Sequence, residues 1–126
     1  MPAITYEPIG YIHAAESELL RPEIMRRQPA QLVLEPAYRP AIAALSIGQW
    51  IWVMYHMHKI EPWDSSNPVR WLEHRVPRRP NPIALTLVKI IALEAGQITV
   101  EGLDAADGSP LIDIKPYRDT YDIPVG

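Results

Sequence analysis

Short apolar blocks separated by proline, glycine and polar turns run through this chain, a pattern of strands rather than long helices. Residues Ile4 to His13 predict a first strand, with Pro8 and Gly10 marking an edge or a bulge. Ala14 to Met25 reads as a polar, partly helical connection whose Glu16, Glu18 and Glu23 form a solvated face. Gln31 to Glu35 predicts a short strand and Tyr38 to Leu45 a brief helix, with Pro40 early in it, where a missing amide costs little. Gln49 to His58 is a strongly aromatic strand. Period-two geometry puts Trp50, Trp52, Met54, His56 and His58 on one face and Ile51, Val53, Tyr55 and Met57 on the other, and both faces read as largely buried. Glu61 to Arg70 is turn chemistry throughout, Ile83 to Leu93 the longest strand, and Ala95-Gly96 a tight hairpin into Gln97 to Glu101. Asp107-Gly108 then turns the chain into Leu111 to Ile114. About six strands with one or two short helices predict an all-β barrel or sandwich.

One stretch departs from this rhythm. Pro77, Pro80 and Pro82 fix φ and push each preceding residue out of the α region, so residues 74 to 82 must run as a stiff extended track. Arg75, Arg78 and Arg79 hang from it, and planar, permanently charged forks suit carboxylate or phosphate oxygens. The strand from Ile83 follows at once, which anchors this cationic rim to core.

Composition narrows the class. A chain of 126 residues suits one domain, 1–126, and 14 prolines with 6 glycines indicate many rigid turns without signalling disorder. The absence of cysteine removes thiolate catalysis, disulfides and cysteine-ligated zinc, which suits a cytoplasmic protein. No signal peptide and no bilayer-spanning apolar run is expected. The formal net charge of −3 makes the whole molecule a poor electrostatic partner for nucleic acid. The distribution is uneven, however: four of the twelve basic residues lie between Arg70 and Arg79, so one local cationic patch coincides with the proline track.

The same stretch carries a family resemblance. Arg79-Pro80-Asn81-Pro82-Ile83-Ala84 resembles the arginine-proline-asparagine-proline-isoleucine-glycine signature of the TsaA-like (TrmO) family. Residues Gly102 to Tyr117 are similar to the family's second signature, and Pro8-Ile9-Gly10-Tyr11-Ile12 to its opening. Characterised members of that family are S-adenosylmethionine-dependent tRNA methyltransferases. The resemblance therefore implies a closed TsaA-like β-barrel, a homodimer, and methyl transfer to N6 of threonylcarbamoyladenosine beside the tRNA anticodon. It implies a donor site at Arg27, Gln28, Pro29, His58, Lys59, Arg75, Leu85, Gly102, Leu103 and Asp104, with Arg70, Arg78, Arg79 and Asn81 facing RNA. His58 or Tyr55 would orient or deprotonate the acceptor. Three departures stand out: Ala84 in place of the signature glycine, Val76 in place of a serine, and a short segment from Lys59 to Arg75. The chain also stops soon after Lys115-Pro116-Tyr117, so the carboxyl-terminal tRNA-binding domain of longer members is expected to be absent.

The residues alone leave other readings open. Arg75 suits a carboxylate ligand or a structural ion pair, Leu85 a ligand wall or plain core, and Asp104 a hydroxyl or amine partner or a turn cap. Gly102 permits close backbone approach at a strand end. His56 and His58, with Glu73 or His74, sketch a metal set, but no further ligand spacing is diagnostic and no metal is expected. A small-molecule methyltransferase and a non-enzymatic or metal-binding barrel remain the alternatives. Neither reading calls for a membrane.

Overall fold

The structure, a computed structural model, describes residues 1–15 and 21–126. Six antiparallel strands close into a barrel: β1 (Gly10–Ala14), β2 (Ala30–Leu34), β3 (Trp50–His56), β4 (Ile83–Glu94), β5 (Gln97–Glu101) and β6 (Pro110–Pro116). Their order around the barrel is β1-β2-β5-β4-β3-β6. Three one-turn helices, α1 (Pro22–Met25), α2 (Arg70–Glu73) and α3 (Asp119–Asp122), decorate it, with a 3-10 segment over Pro36–Ala44.

Alternation builds the core. Ile12, Leu32, Ile51, Val53, Val88, Ile90, Ile98, Val100 and Leu111 point inward and are all 0 % exposed. Each such side chain contributes about 1.5–3 kcal/mol of apolar burial. Closure settles the first strand. β1 pairs with β2 from Gly10 to Ala14 and with β6 at Gly10 and Tyr11, so it is no free edge. Gly10 is required there by contact: a Cβ would lie 2.0 Å from the Val33 carbonyl oxygen. The strand is also shorter than its apolar pattern predicts, because Ile4 to Pro8 carry no strand pairing and stand exposed.

β3 corrects a second expectation. Ile51, Val53 and Tyr55 are buried, but Trp50 is exposed and Trp52, Met54 and His56 are only half-buried. In a barrel only one face of a strand looks inward, and among the described residues the apolar outer face is only partly covered. The helical part of the first connection is limited, among the described residues, to Pro22–Met25, with Pro22 in the first turn, where proline is tolerated. The solvated face read at Glu16 and Glu18 lies outside the described residues.

One mismatch of strand lengths positions the site. β4 runs twelve residues but β5 only five, and their pairing covers Lys89 to Glu94. Ile83 to Val88 are therefore paired on the β3 side alone. Pro82 accepts from the Met57 amide, and Ile90 donates to Gln49, both toward β3. Backbone polar groups alternate sides along a strand, so those of Leu85 and Leu87 face the open edge.

Candidate functional site

The open edge of β4 is overhung by the segment that leaves β5. Gly102 turns with φ 104°, a left-handed value that glycine adopts without a Cβ penalty. Leu103 and Ala105 then drop into the core at 3 % exposure each, leaving Asp104 half-buried between them. From α1, Arg26 reaches the same place and its Nε donates to the Gly102 carbonyl at 3.0 Å.

Tyr55 meets this segment from inside the barrel. Its hydroxyl donates to Asp104 Oδ1 at 3.1 Å. Burial first, and the adjacent Asp104 carboxylate second, push the phenol well above its ordinary range. Tyr55 is therefore a neutral hydrogen-bond donor that aims the carboxylate, and it is poorly suited to take a proton.

Around Asp104 open three adjoining compartments that share lining residues. One, of about 460 Å³, is lined by Arg26, Arg75, Leu85, Leu87 and Asp104. The second, of about 370 Å³, adds Tyr55, Val76, Pro77 and Arg79 to Arg75, Leu85 and Asp104. The third, of about 290 Å³, places His58 and Lys59 beside Tyr55 and Asp104. Arg75, Leu85 and Asp104, far apart in sequence, thus share one cleft. Among the described residues no hydrogen bond or ion pair occupies the Arg75 guanidinium, which leaves its fork for a ligand oxygen.

The remaining sequence-derived positions divide. Gly102 offers its carbonyl, already taken by Arg26, while Leu103 is core. Gln28 and Pro29 line a cavity of only about 10 Å³ with Leu103 and Ala105, too small for more than a joint in the packing. Arg27 and Asn81 are exposed and line neither that cavity nor the cleft. Arg26 rather than Arg27 is the arginine that the fold brings to the edge. Arg70 and Arg78 line a separate cavity with Trp63 and Trp71, and Arg79 stacks over the Trp71 ring at 5.4 Å.

Charge is managed locally around the cleft. Asp107 accepts from the Ala14 amide at 2.9 Å and pairs with His13 Nδ1 at 3.0 Å, and these contacts hold its carboxyl below the usual range. That bond ties the turn before β6 to the end of β1. His56 stays on the outer face of β3 whereas His58, two residues on, has left the strand and lines the cleft. Among the described residues no group of three or more His, Asp or Glu side chains is placed to hold a metal ion. Likewise, no helix among them is long and apolar enough to cross a membrane.

Comparison with known proteins gives this cleft a context. A "Probable S-adenosyl-L-methionine-binding protein" from Methanothermobacter thermautotrophicus is 37 % identical over 103 residues, covering 75 % of this chain and 74 % of that protein. The rat "tRNA (adenine(37)-N6)-methyltransferase" is 29 % identical over 136 residues, covering 94 % of this chain but only 32 % of the rat protein. The crystal structure of TrmO from Pseudomonas aeruginosa superposes with a TM-score of 0.77 at 27 % identity, over 96 % of this chain and 58 % of that one. The chain therefore spans most of the archaeal relative, just over half of the bacterial structure and about a third of the rat protein. The family described as "tRNA-methyltransferase O N-terminal domain" matches residues 20–123, and the chain belongs to that family.

Proposed function

We propose that this chain binds S-adenosylmethionine in the cleft at the open edge of β4 and transfers its methyl group to the N6 nitrogen of a tRNA adenosine. The acceptor in this reading is threonylcarbamoyladenosine next to the anticodon. One observation carries it: Arg75, Leu85, Asp104 and Tyr55 converge on one cleft although their positions run from 55 to 104. The names of the archaeal and mammalian relatives, which print S-adenosyl-L-methionine binding and tRNA adenine methylation, support the same reading.

The residues fit such a donor group by group. Arg75 is an unoccupied guanidinium that suits the methionyl carboxylate. Asp104, aimed by Tyr55, suits a ribose hydroxyl or an ammonium. Leu85 supplies an apolar wall and, with Leu87, backbone amides at an open strand edge that suit the polar rim of a purine. The compartments, at about 290, 370 and 460 Å³, lie at the scale of small-ligand sites.

When bound, the donor supplies an electrophilic methyl on a sulfonium. The chain's own task is then to orient the acceptor and exclude water. His58 at the cleft mouth is the imidazole placed to take the proton that N6 loses, because the Tyr55 phenol is held neutral. Two further parts of the reading rest on surface chemistry. The outer face of β3 and β4 pairs Trp52 with Leu87 and Met54 with Leu85, an apolar strip that runs into the compartment of about 460 Å³, so a second copy of the chain seated on it would border the donor site. A homodimer of this kind would work in the cytoplasm, where its tRNA substrate is found.

Titration calorimetry with S-adenosylmethionine and S-adenosylhomocysteine tests the donor. Transfer of labelled methyl to an anticodon stem-loop carrying threonylcarbamoyladenosine, against one carrying plain adenosine, tests the acceptor. No heat at millimolar ligand removes the donor reading. Equal labelling of both stem-loops removes the assigned acceptor.

A further inference from the structure

The largest of these cavities lies outside the donor cleft. About 480 Å³ in volume, it is bounded by Trp63, Trp71, Arg70 and Arg78, with Asp64 and Asn67 on the rim. Val76 and Pro77 line both this cavity and the donor cleft, so the two adjoin at that residue pair.

Its chemistry is specific. Two indoles face the space together with two guanidiniums, in a protein whose net charge is −3. Arg78 is oriented by its Nε bond to the Pro62 carbonyl at 3.0 Å, with Glu61 3.7 Å from its Nη1. Among the described residues nothing holds the Arg70 guanidinium. Arg79 lies over the Trp71 ring at 5.4 Å, and its Nη1 donates to the Val76 carbonyl at 3.2 Å. The Ser66 amide and hydroxyl both donate to Asp64 Oδ1, and those bonds hold its carboxyl below the usual range. It is thus tied into its own turn. An aromatic slot flanked by cations matches one ligand class: an unpaired nucleotide, its base stacked on an indole and its phosphate on arginine.

We propose that this cavity is a stacking subsite for the unpaired nucleotide adjacent to the methylated adenosine. The inference rests on the function proposed above and names how its RNA is gripped. A single-stranded loop whose target base enters the cleft must place a neighbouring nucleotide within one step of it. Val76 and Pro77, which border both cavities, make the two sites neighbours. Trp63 is the accessible platform, at 39 % exposure, and Arg70 the accessible cation.

The test uses the full chain and an anticodon stem-loop with 2-aminopurine in turn on each side of the target adenosine. Stacking on indole should quench the fluorophore at one of these two positions. Trp63→Leu should weaken stem-loop binding about tenfold and abolish that quenching, while Trp63→Phe restores most of both. S-Adenosylhomocysteine affinity should stay unchanged in both variants. Wild-type binding without quenching at either position, or Trp63→Leu binding the stem-loop as tightly as wild type, overturns the subsite. A wild type that binds S-adenosylhomocysteine but no stem-loop also overturns it and leaves the donor reading standing. A wild type that binds and quenches the stem-loop but ignores both donor ligands keeps the subsite and sinks the methyltransferase reading instead.

Discussion

The wall formed by β1, β2 and β5 and the segment between β3 and β4 obey different rules. In the wall, Ile12, Leu32, Ile98 and Val100 are fully buried and every strand is paired on both sides. Between residues 57 and 82, by contrast, not one side chain is fully buried. That segment keeps its shape through bonds to carbonyls: Arg78 to Pro62, Arg79 to Val76, and the Met57 amide to Pro82 at 2.8 Å. Prolines do the rest by removing backbone freedom. Stability therefore resides in the wall, and on the function proposed above the segment contributes to recognition, so substitutions should separate the two.

The largest expected effect lies in the wall. Ile98→Ala empties a site with 0 % exposure and should cost about 2–5 kcal/mol, read from urea denaturation. Donor affinity of the folded protein should not change. A cost below about 1 kcal/mol would mean that the barrel collapses around the gap, and the division between wall and segment would weaken.

Arg75→Ala is the mirror experiment. The side chain is exposed and unpartnered among the described residues, so stability should stay within about 0.5 kcal/mol. S-Adenosylmethionine affinity should fall by about 1.5–3 kcal/mol, the scale of a hydrogen bond to a charged group, or roughly ten- to a hundredfold by calorimetry. Loss of stability with no loss of affinity would make Arg75 a structural residue.

These two substitutions also mark what the sequence alone discloses. β5 was legible to the residue because Ala95-Gly96 and Gly102 bracket an unbroken alternation. Strand count and short turns leave a barrel and a sandwich open, and the closed barrel was implied by the family resemblance. Tyr38 to Leu45 was expected as a helix and is a 3-10 segment over Pro36–Ala44, since Pro40 inside it has no amide for an α-helical bond. Helix α2, four residues with no side-chain cap, carries no signal that periodicity could detect. The convergence of Arg75, Leu85 and Asp104 was anticipated by family motif. Arg26 was not, because which of two adjacent arginines just after a one-turn helix reaches Gly102 depends on how α1 docks. Nor was the Trp63–Trp71 cavity: turn residues predict a loop but not which side chains it gathers.

Tyr55 stands where the two regions meet, so its removal should register in both. Tyr55→Phe loses one hydrogen bond to Asp104, worth about 1 kcal/mol of stability, and should weaken donor binding several-fold. The pH dependence supplies a second reading. Because the folded phenol titrates above its unfolded value, the unfolded chain releases this proton first, and stability falls as pH rises past about 10. The phenylalanine variant should show a flatter alkaline limb. Asp107 gives the opposite sign: its folded carboxyl lies below the unfolded value, so its contribution is present above about pH 4 and lost as pH falls further. Asp107→Asn should flatten the acid limb and leave the alkaline one alone.

The smallest effect tests whether the exposed segment reads charge at all. Arg70 lines the cavity with Trp63, and its guanidinium has no partner among the described residues. If it meets one phosphate of a single-stranded loop, Arg70→Ala should lower the slope of log affinity against log salt by about 0.7. At moderate salt the loss in stem-loop affinity should be only a few-fold, and the melting temperature should not move. Arg79→Ala provides the contrast within the same patch. Its guanidinium is already committed to the Trp71 ring and the Val76 carbonyl, so its loss should loosen the segment and lower affinity without lowering the salt slope. Equal slopes for both variants would mean that neither guanidinium, or both, meets phosphate, and the sorting of these arginines into contact and brace would have to be dropped.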